Sequence, residues 1–472
     1  MSYYFSGFGQ WVALTIGVAI TAVGAFFLAR WSWRWFTVLC IAVAAVVFLF
    51  LLPIRNPAHA FLDESTPPLL LNYFWPWIFV LLVGFTLSLI SFGRLLYQGR
   101  TAAVPDGPVE GGTDQSSAID SAWREIQLRL SNARIEPGAQ HVYLVLVPDE
   151  GWASALVHSA GLQLFAEGPD GEAPVHAYAT ADGIFLSVAG ASAFGVQNEE
   201  GSRSLENVCR RLLAERPNCP VVRGVVVLFP ITWAGQPESV KWSSSVREDL
   251  RTIERVLKVR CPVFAVFSEM ETTPGFPEFV GRMSTALRQS RCGFAVPASH
   301  PFSGDLVQNG LIWMSGWYHG WILSLMADDL FNVPGNNQLF SLDIEFRRYR
   351  KRLRSVLEAA FSTHRETEPM LFRGCYFTAT GANPREQAFT AGLLRGPRGR
   401  ILAEHPVTQW TQQAKEDDRF YRKLALAVGL VGGGLSLLTW LVIIMMTGNA
   451  IWWAGPVIML IVWLIVVFRV VR

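Results

Sequence analysis

The sequence predicts a polytopic α-helical membrane protein with an inserted cytoplasmic α/β domain, mostly parallel in its sheet, and a helical extension. Three observations predict it. Apolar stretches long enough to cross a bilayer gather at the two ends of the chain, strand-length and helix-length runs alternate between them, and arginines cluster on one side of each apolar stretch. Of 472 residues, 51% are hydrophobic and 17% charged, and the mean hydropathy is +0.28. That is more apolar than an ordinary globular chain.

A run of ~20 apolar residues suffices to span a bilayer core. Five stretches reach that length: Trp11 to Ala29, Trp35 to Pro53, Leu69 to Phe92, Leu424 to Met446 and Ile451 to Phe468. Tryptophans stand at their edges (Trp11, Trp31, Trp33, Trp75, Trp77, Trp452 and Trp453), where a ring with an apolar body and a polar handle is favoured. Arg30, Arg34, Arg94, Arg100, Arg419, Arg422, Lys423, Arg469 and Arg472 all fall on one side. The leader 1–10, the turn 56–68 and the turn 447–450 carry no Lys or Arg. The positive-inside rule then expects a cytoplasmic central domain and C-terminus and an outer N-terminus. The leader has no basic n-region, so the first span is expected to be an uncleaved anchor. Leu311 to Phe331 is also apolar, but Gly316, His319 and Gly320 interrupt it, and it reads as a buried helix of the central domain.

The expected organisation is residues 1–97 as a transmembrane region of three helices, 98–140 as a linker and amphipathic helix, 141–300 as the α/β domain, 301–421 as a helical extension with a terminal strand, and 422–472 as a transmembrane hairpin. Thr101 to Ser117 has a linker's composition, and Asp120 to Arg134 is amphipathic. Strand-length apolar runs follow at 142–147, 175–180, 184–188, 221–229, 262–267 and 293–296. Helical patterns fall at Ser204 to Glu215, Ser243 to Leu257 and Phe276 to Arg288. Runs as apolar as Gly224 to Phe229 suit a sheet covered on both faces. Alternation of β and α units of this length predicts a doubly wound sheet. The extension covers Leu306 to Phe361, and Met370 to Gly381 reads as a late strand.

The first strand–loop–helix, His141 to Leu162, has the position and shape of a phosphate-binding loop. That motif needs two glycines to let backbone N–H groups close on phosphate, a lysine to neutralise it and a hydroxyl for magnesium. Here Val147 and Trp152 replace the glycines and Ala153 replaces the lysine. Asp149 and Glu150 add negative charge, and only Ser154 survives, as a magnesium-type hydroxyl. Ser154 also suits a helix N-cap. Losing a charge-assisted lysine contact while adding carboxylates disfavours a polyphosphate.

Four segments in order resemble the IcmF/TssM family, the large inner-membrane protein of type VI secretion systems. Val147 to Leu162 aligns with GPPGSGKTT and the helix ending in NSGL. Ile184 to Ser192 aligns with VLIDTAGRY, with Ser187 at the magnesium-linked aspartate and Ala189 and Gly190 kept. Val263 to Val280 aligns with VYVLLTKCDLLAGFSEFF, where TKxD becomes Ser268-Glu269-Met270-Glu271. Phe372 to Ala379 aligns with LRGxYFTS. The resemblance implies a GTPase-like domain with a degenerate P-loop, in which Gly151, Ser154, Gly190 and Glu271 form a vestigial nucleotide site. It implies no cofactor and no catalytic residue. It also implies an IcmH/DotU-like inner-membrane partner, contact with baseplate components, and a possible homo-oligomer. The chain departs from the family pattern in having an extra span at the start and a hairpin where a long periplasmic region usually follows.

Other features weigh less. The histidines (His59, His141, His158, His176, His300, His319, His364 and His405) form no metal-ligand spacing, and the six cysteines (Cys40, Cys209, Cys219, Cys261, Cys292 and Cys375) include no CxxC pair. No GxSxG elbow is present, and Asp328-Asp329 reads as a helix-end pair. A net charge of +2 gives no support to nucleic-acid binding. The basic run Phe346 to Arg354 suits an acidic partner, an anionic leaflet or plain solvation. Ala425, Gly429 and Gly433 permit close helix packing, within the chain or between copies. The function expected is structural: a membrane anchor for a contractile secretion apparatus, with the α/β domain as a docking scaffold. The alternative is an NTPase that binds nucleotide through Ser154 and Gly190. A channel is disfavoured because the apolar stretches contain almost no charge.

Overall fold

The computed structural model describes residues 113–135, 140–197, 199–215, 221–328, 334–362, 368–395, 400–404 and 407–417, with 419, 420 and 423. These residues belong almost entirely to one compact unit, Thr101–Asp417. They show an α/β domain and not a polytopic helical membrane protein, which corrects the fold class expected from the sequence. No helix among them is long and apolar enough to cross a membrane. The five apolar stretches and the Ala425, Gly429 and Gly433 stripe lie outside the described residues, as do Cys40, Cys219, His59, His364, His405 and Asp329.

In chain order the elements are α1 (Thr113–Asn132), β1 (Val142–Leu146), α2 (Glu150–Ser159), β2 (Leu164–Gly168), β3 (His176–Thr180), β4 (Ile184–Ser187), α3 (Ala193–Val196), α4 (Glu199–Glu215), β5 (Val222–Pro230), α5 (Ser239–Leu257), β6 (Val259–Arg260), β7 (Val263–Ser268), α6 (Phe276–Gly281), α7 (Thr285–Arg288), β8 (Gly293–Ala295), α8 (Gly304–Asp328), α9 (Asn336–Phe361), β9 (Phe372–Phe377), α10 (Ala391–Leu394), α11 (Arg400–Ala403) and β10 (Gln409–Trp410). Eight strands form one sheet in the order β2-β3-β4-β1-β5-β7-β9-β8. The central strands β4, β1, β5, β7 and β9 are parallel, while β2, β3 and β8 run antiparallel to their neighbours.

The sheet is therefore mixed, correcting the mostly parallel expectation. Only residues 181–183 separate β3 from β4. A parallel crossover needs a dozen residues or more, so these strands can only form a hairpin. Other boundaries shift as well. The linker ends sooner than its composition suggests, because α1 begins at Thr113. The helical pattern at 276–288 divides into α6 and α7, since Ser284 caps a new helix by accepting from the Leu287 N–H.

Strand side chains alternate between two cores, as the two-residue period of a pleated strand requires. Leu144, Val227, Ala265 and Phe377 face the larger core under α1, α4, α5, α8 and α9. Val145, Val226, Val266 and Tyr376 face a smaller one, filled by Ala153, Leu156 and Val157 of α2 with Leu394 and Ile401 of α10 and α11. In α5, Val246, Leu250, Ile253 and Leu257 repeat at helical spacing and are all buried.

The helical extension is welded to the sheet by aromatic contacts. Phe377 of β9 meets Phe346 of α9 at 5.2 Å between centroids, and Phe346 meets Tyr318 of α8 at 4.7 Å. Full burial of each such ring is worth about 1.5–3 kcal/mol. The apolar segment at Leu311 to Phe331 lies largely within α8 and is buried on one face only. Val307, Leu311, Met314, Tyr318 and Ile322 pack inward, while Ile312, Trp313 and Leu323 are exposed.

Candidate functional site

The parallel strands change crossover direction at β1, where β4 lies on one side and β5 on the other. A crevice at the carboxyl ends of such strands is the usual ligand position in a doubly wound sheet. Three segments converge there: the β1–α2 turn, the exit of β4 and the exit of β7.

In this structure the β1–α2 turn is occupied by its own side chains. Asp149 is the N-cap of α2 and accepts the Gly151 N–H at 2.8 Å. A β-carbon on Gly151 would sit 2.9 Å from that oxygen, so glycine makes room for the cap. Glu150, the next residue, accepts from the Tyr178 hydroxyl at 2.5 Å and from the Ser187 hydroxyl. Its second oxygen lies 3.5 Å from His176 Nδ1, an ion-pair contact longer than a good hydrogen bond. His176 Nε2 meets the Gly171 carbonyl at 2.9 Å. Two carboxylates thus sit at the positive end of α2, where the helix dipole favours negative charge and a phosphate would otherwise bind.

Electrostatics follow from these contacts. Burial lowers the His176 pKa, but Glu150, the Gly171 carbonyl and Glu167 together outweigh it and leave the value raised. Burial, then the Glu150 charge, pushes the Tyr178 phenol up, with Ser154 within hydrogen-bonding reach of its oxygen. Burial raises the Glu269 carboxyl at the exit of β7, and the nearby Trp152, standing where a glycine would admit phosphate, opposes the shift. Glu269 itself has a left-handed backbone (φ 62°), uncommon for a side chain of this kind.

The residues singled out by sequence are only partly brought together. Gly151 and Ser154 share the first turns of α2. Gly190 lies in the 3-10 turn Ala189–Ala191, where its N–H donates to the Pro174 carbonyl and its carbonyl accepts from Gln115. Glu271 turns toward β9, accepting the Thr380 N–H at 3.0 Å, and burial raises its pKa. The three segments meet instead through the Glu150–Ser187 and Trp152–Glu269 contacts. Among the described residues, no group of three or more His, Cys, Asp or Glu side chains could hold a metal ion.

Two further anchors surround this end of the sheet. Asp249 of α5, fully buried, accepts the Ala193 and Phe194 N–H groups at 2.9 and 2.8 Å. Ser192 takes the Gly195 and Val196 N–H groups, so every donor at the start of α3 is satisfied. Burial, only partly offset by those two amides, pushes the Asp249 carboxyl up to about 7. A sequence signal for Asp249 exists: it is a carboxylate in the middle of an apolar helix face, between Val246 and Ile253.

The second anchor is in β9. Register shifts between Val263↔Phe372 and Phe264↔Gly374, so Arg373 is the extra residue of a bulge. Bulges re-aim side chains, and here Arg373 forms a two-pronged ion pair with Glu404, at 2.6 and 3.0 Å, with both side chains buried. Its remaining arm donates to the Val296 carbonyl. Gly374 has φ +145°, and a β-carbon there would lie 2.3 Å from the Phe294 carbonyl oxygen of β8. Nothing in the sequence pattern links Arg373 to Glu404.

Comparison with known proteins finds no curated relative and no solved structure similar to the chain. The IcmF-related N-terminal domain family matches residues 198–425, a range that contains the exit of β7 and the whole Phe372 to Ala379 segment. Residues 198–425, which include all of β9, therefore carry an IcmF-related N-terminal domain, which supports membership of the IcmF/TssM family.

Proposed function

We propose that this protein is a structural component of a type VI-like contractile secretion apparatus. It works at the cytoplasmic membrane, with its α/β domain on the cytoplasmic side. The domain is a pseudo-GTPase: a docking scaffold for an IcmH/DotU-like membrane protein and baseplate components, without turnover. Family membership supports the system. The observation that carries the scaffold reading is Glu150, whose carboxylate sits at the N-terminus of α2 and is held by Tyr178 and Ser187. A nucleotide would have to displace an anion already hydrogen-bonded by two hydroxyls, with no lysine to compensate.

Calorimetric titration of the full chain with GTP or ATP and magnesium tests this. The expected result is no binding in the micromolar range. Micromolar affinity that disappears in Ser154→Ala would replace the scaffold reading with the NTPase one. Co-purification with an IcmH/DotU-like protein, unchanged in Ser154→Ala, is the positive counterpart.

A further inference from the structure

The outer face of the α8–α9 pair is chemically unlike the rest of the domain. His319 meets Asp343 at 3.2 Å, and Arg354 reaches Gln308, so the helices run antiparallel with a common register. That register puts Leu323 level with Phe340. Ile312, Leu323, Phe340 and Ile344 are 44%, 51%, 54% and 50% exposed, and Trp313 beside them is 56% exposed. Along α9, Phe340, Ile344, Arg347 and Lys351 recur at intervals of four, three and four residues, which is one stripe of a helix. The stripe therefore passes from apolar to cationic, with exposed Arg348 and Arg352 beside its second half. The carboxylates next to it are the buried Asp343, paired with Arg347 at 3.0 Å, and Glu345, paired with Arg348 at 3.4 Å.

Exposed Trp, Phe, Ile and Leu beside a cationic stripe is the composition of a surface that enters the headgroup region of an anionic bilayer. An acidic protein helix would match the charge but would not call for an exposed tryptophan beside it. We infer that this face lies on an anionic phospholipid surface, the apolar residues entering it and Arg347, Arg348 and Lys351 pairing with lipid phosphates. The inference rests on the proposed membrane location and adds to it a specific surface and lipid chemistry.

The test uses the full chain with Cys40→Ser and Cys219→Ser, since Cys209, Cys261, Cys292 and Cys375 are buried. A fluorophore on Ile344→Cys is followed in vesicles of phosphatidylcholine alone, or with roughly a third phosphatidylglycerol, each containing brominated lipid. Quenching is expected only with phosphatidylglycerol. Arg347→Glu, Arg348→Glu and Lys351→Glu together should reduce it by roughly tenfold or more, since each cation near such a surface contributes to binding. Circular dichroism of that variant checks that it folds.

Equal quenching in both vesicles would overturn the anionic-lipid assignment. So would absence of quenching in protein that co-floats with the vesicles, and loss of fluorophore exposure that depends only on protein concentration would assign the face to a second copy. Failure to co-float at all would instead count against the membrane location itself.

Discussion

The β1–α2 turn lies outside the family match and strand β9 inside it, and the two regions use their side chains in opposite ways. In the turn, polar side chains at the start of α2 are engaged by the protein itself. Asp149 caps α2, Glu150 holds Ser187 and Tyr178, and Trp152 reaches Glu269. In β9 the aligned residues keep their identity and are used for packing: Arg373 clamps Glu404, Gly374 admits the β8 backbone, and Phe377 stacks on Phe267. The difference separates chemistry from architecture. A binding loop can lose its ligand contacts if the exposed helix end finds new partners, whereas a buried ion pair or a close backbone approach has no cheap substitute.

The largest expected effect tests the architectural half. Arg373→Met leaves the Glu404 carboxylate buried without its partner, and breaking such a pair costs about 3–5 kcal/mol. Arg373→Met combined with Glu404→Leu should recover most of that loss, because a well-packed apolar pair is often as stable as the ion pair. Chemical denaturation of the two variants and the parent, read as a double-mutant cycle, measures it. A single-variant loss below about 1 kcal/mol would mean that water reaches Glu404 and that the clamp is a surface contact.

How much of this was legible depends on whether the cause is local. The strands β1, β5 and β7 are apolar on both faces, so their runs stand out in the sequence. Edge strand β2 does not: Phe165 and Glu167 alternate with more buried neighbours and read as a loop. The insertion of β9 between β7 and β8 is a non-local pairing that no window of residues encodes. The clamp is hidden for the same reason, with 31 residues separating Arg373 from Glu404. Glu150 is visible as a charge in the wrong place, but its partners Tyr178 and Ser187 become visible only once β3 and β4 pair. Asp249 is the intermediate case, flagged by its helix face and explained only by the amides it meets.

Asp249 gives the second prediction, which sharpens the comparison by asking what holds the β4 exit in place. Asp249→Ala removes the acceptor of two N–H groups and should cost about 1–3 kcal/mol. The pH dependence has a definite sign. The folded pKa of about 7 lies above the unfolded value near 4. The folded state therefore binds more protons between those values, and stability contributed by this group is full below about pH 4 and lost as pH rises through about 7. Asp249→Asn should lack that decline. Unfolding free energies of both proteins, compared across this window, check it; parallel curves would mean that Asp249 is ionised in the fold throughout.

The smallest expected effect falls on the chemical half. Glu150→Gln keeps an oxygen for one hydroxyl but removes the charge facing His176. Burial is the largest influence on that histidine, and it lowers the pKa; Glu150 is the chief influence raising it. Without the carboxylate, the His176 value should fall from above the ordinary 6.5 to below it, which a ring-proton NMR titration reads directly. In the parent, stability from the raised histidine is present below about pH 6.5 and is lost as pH rises through the folded value; in the variant this gain should vanish. The overall stability change should be only about 1 kcal/mol, since a neutral hydrogen bond replaces a charged one. Glu150→Gln should also leave nucleotide affinity absent, because removing one carboxylate does not restore the lysine. If that single change were enough to admit GTP, the carboxylate would be a removable plug over a working site, and the β1–α2 turn would have to be counted with the regions that kept their chemistry.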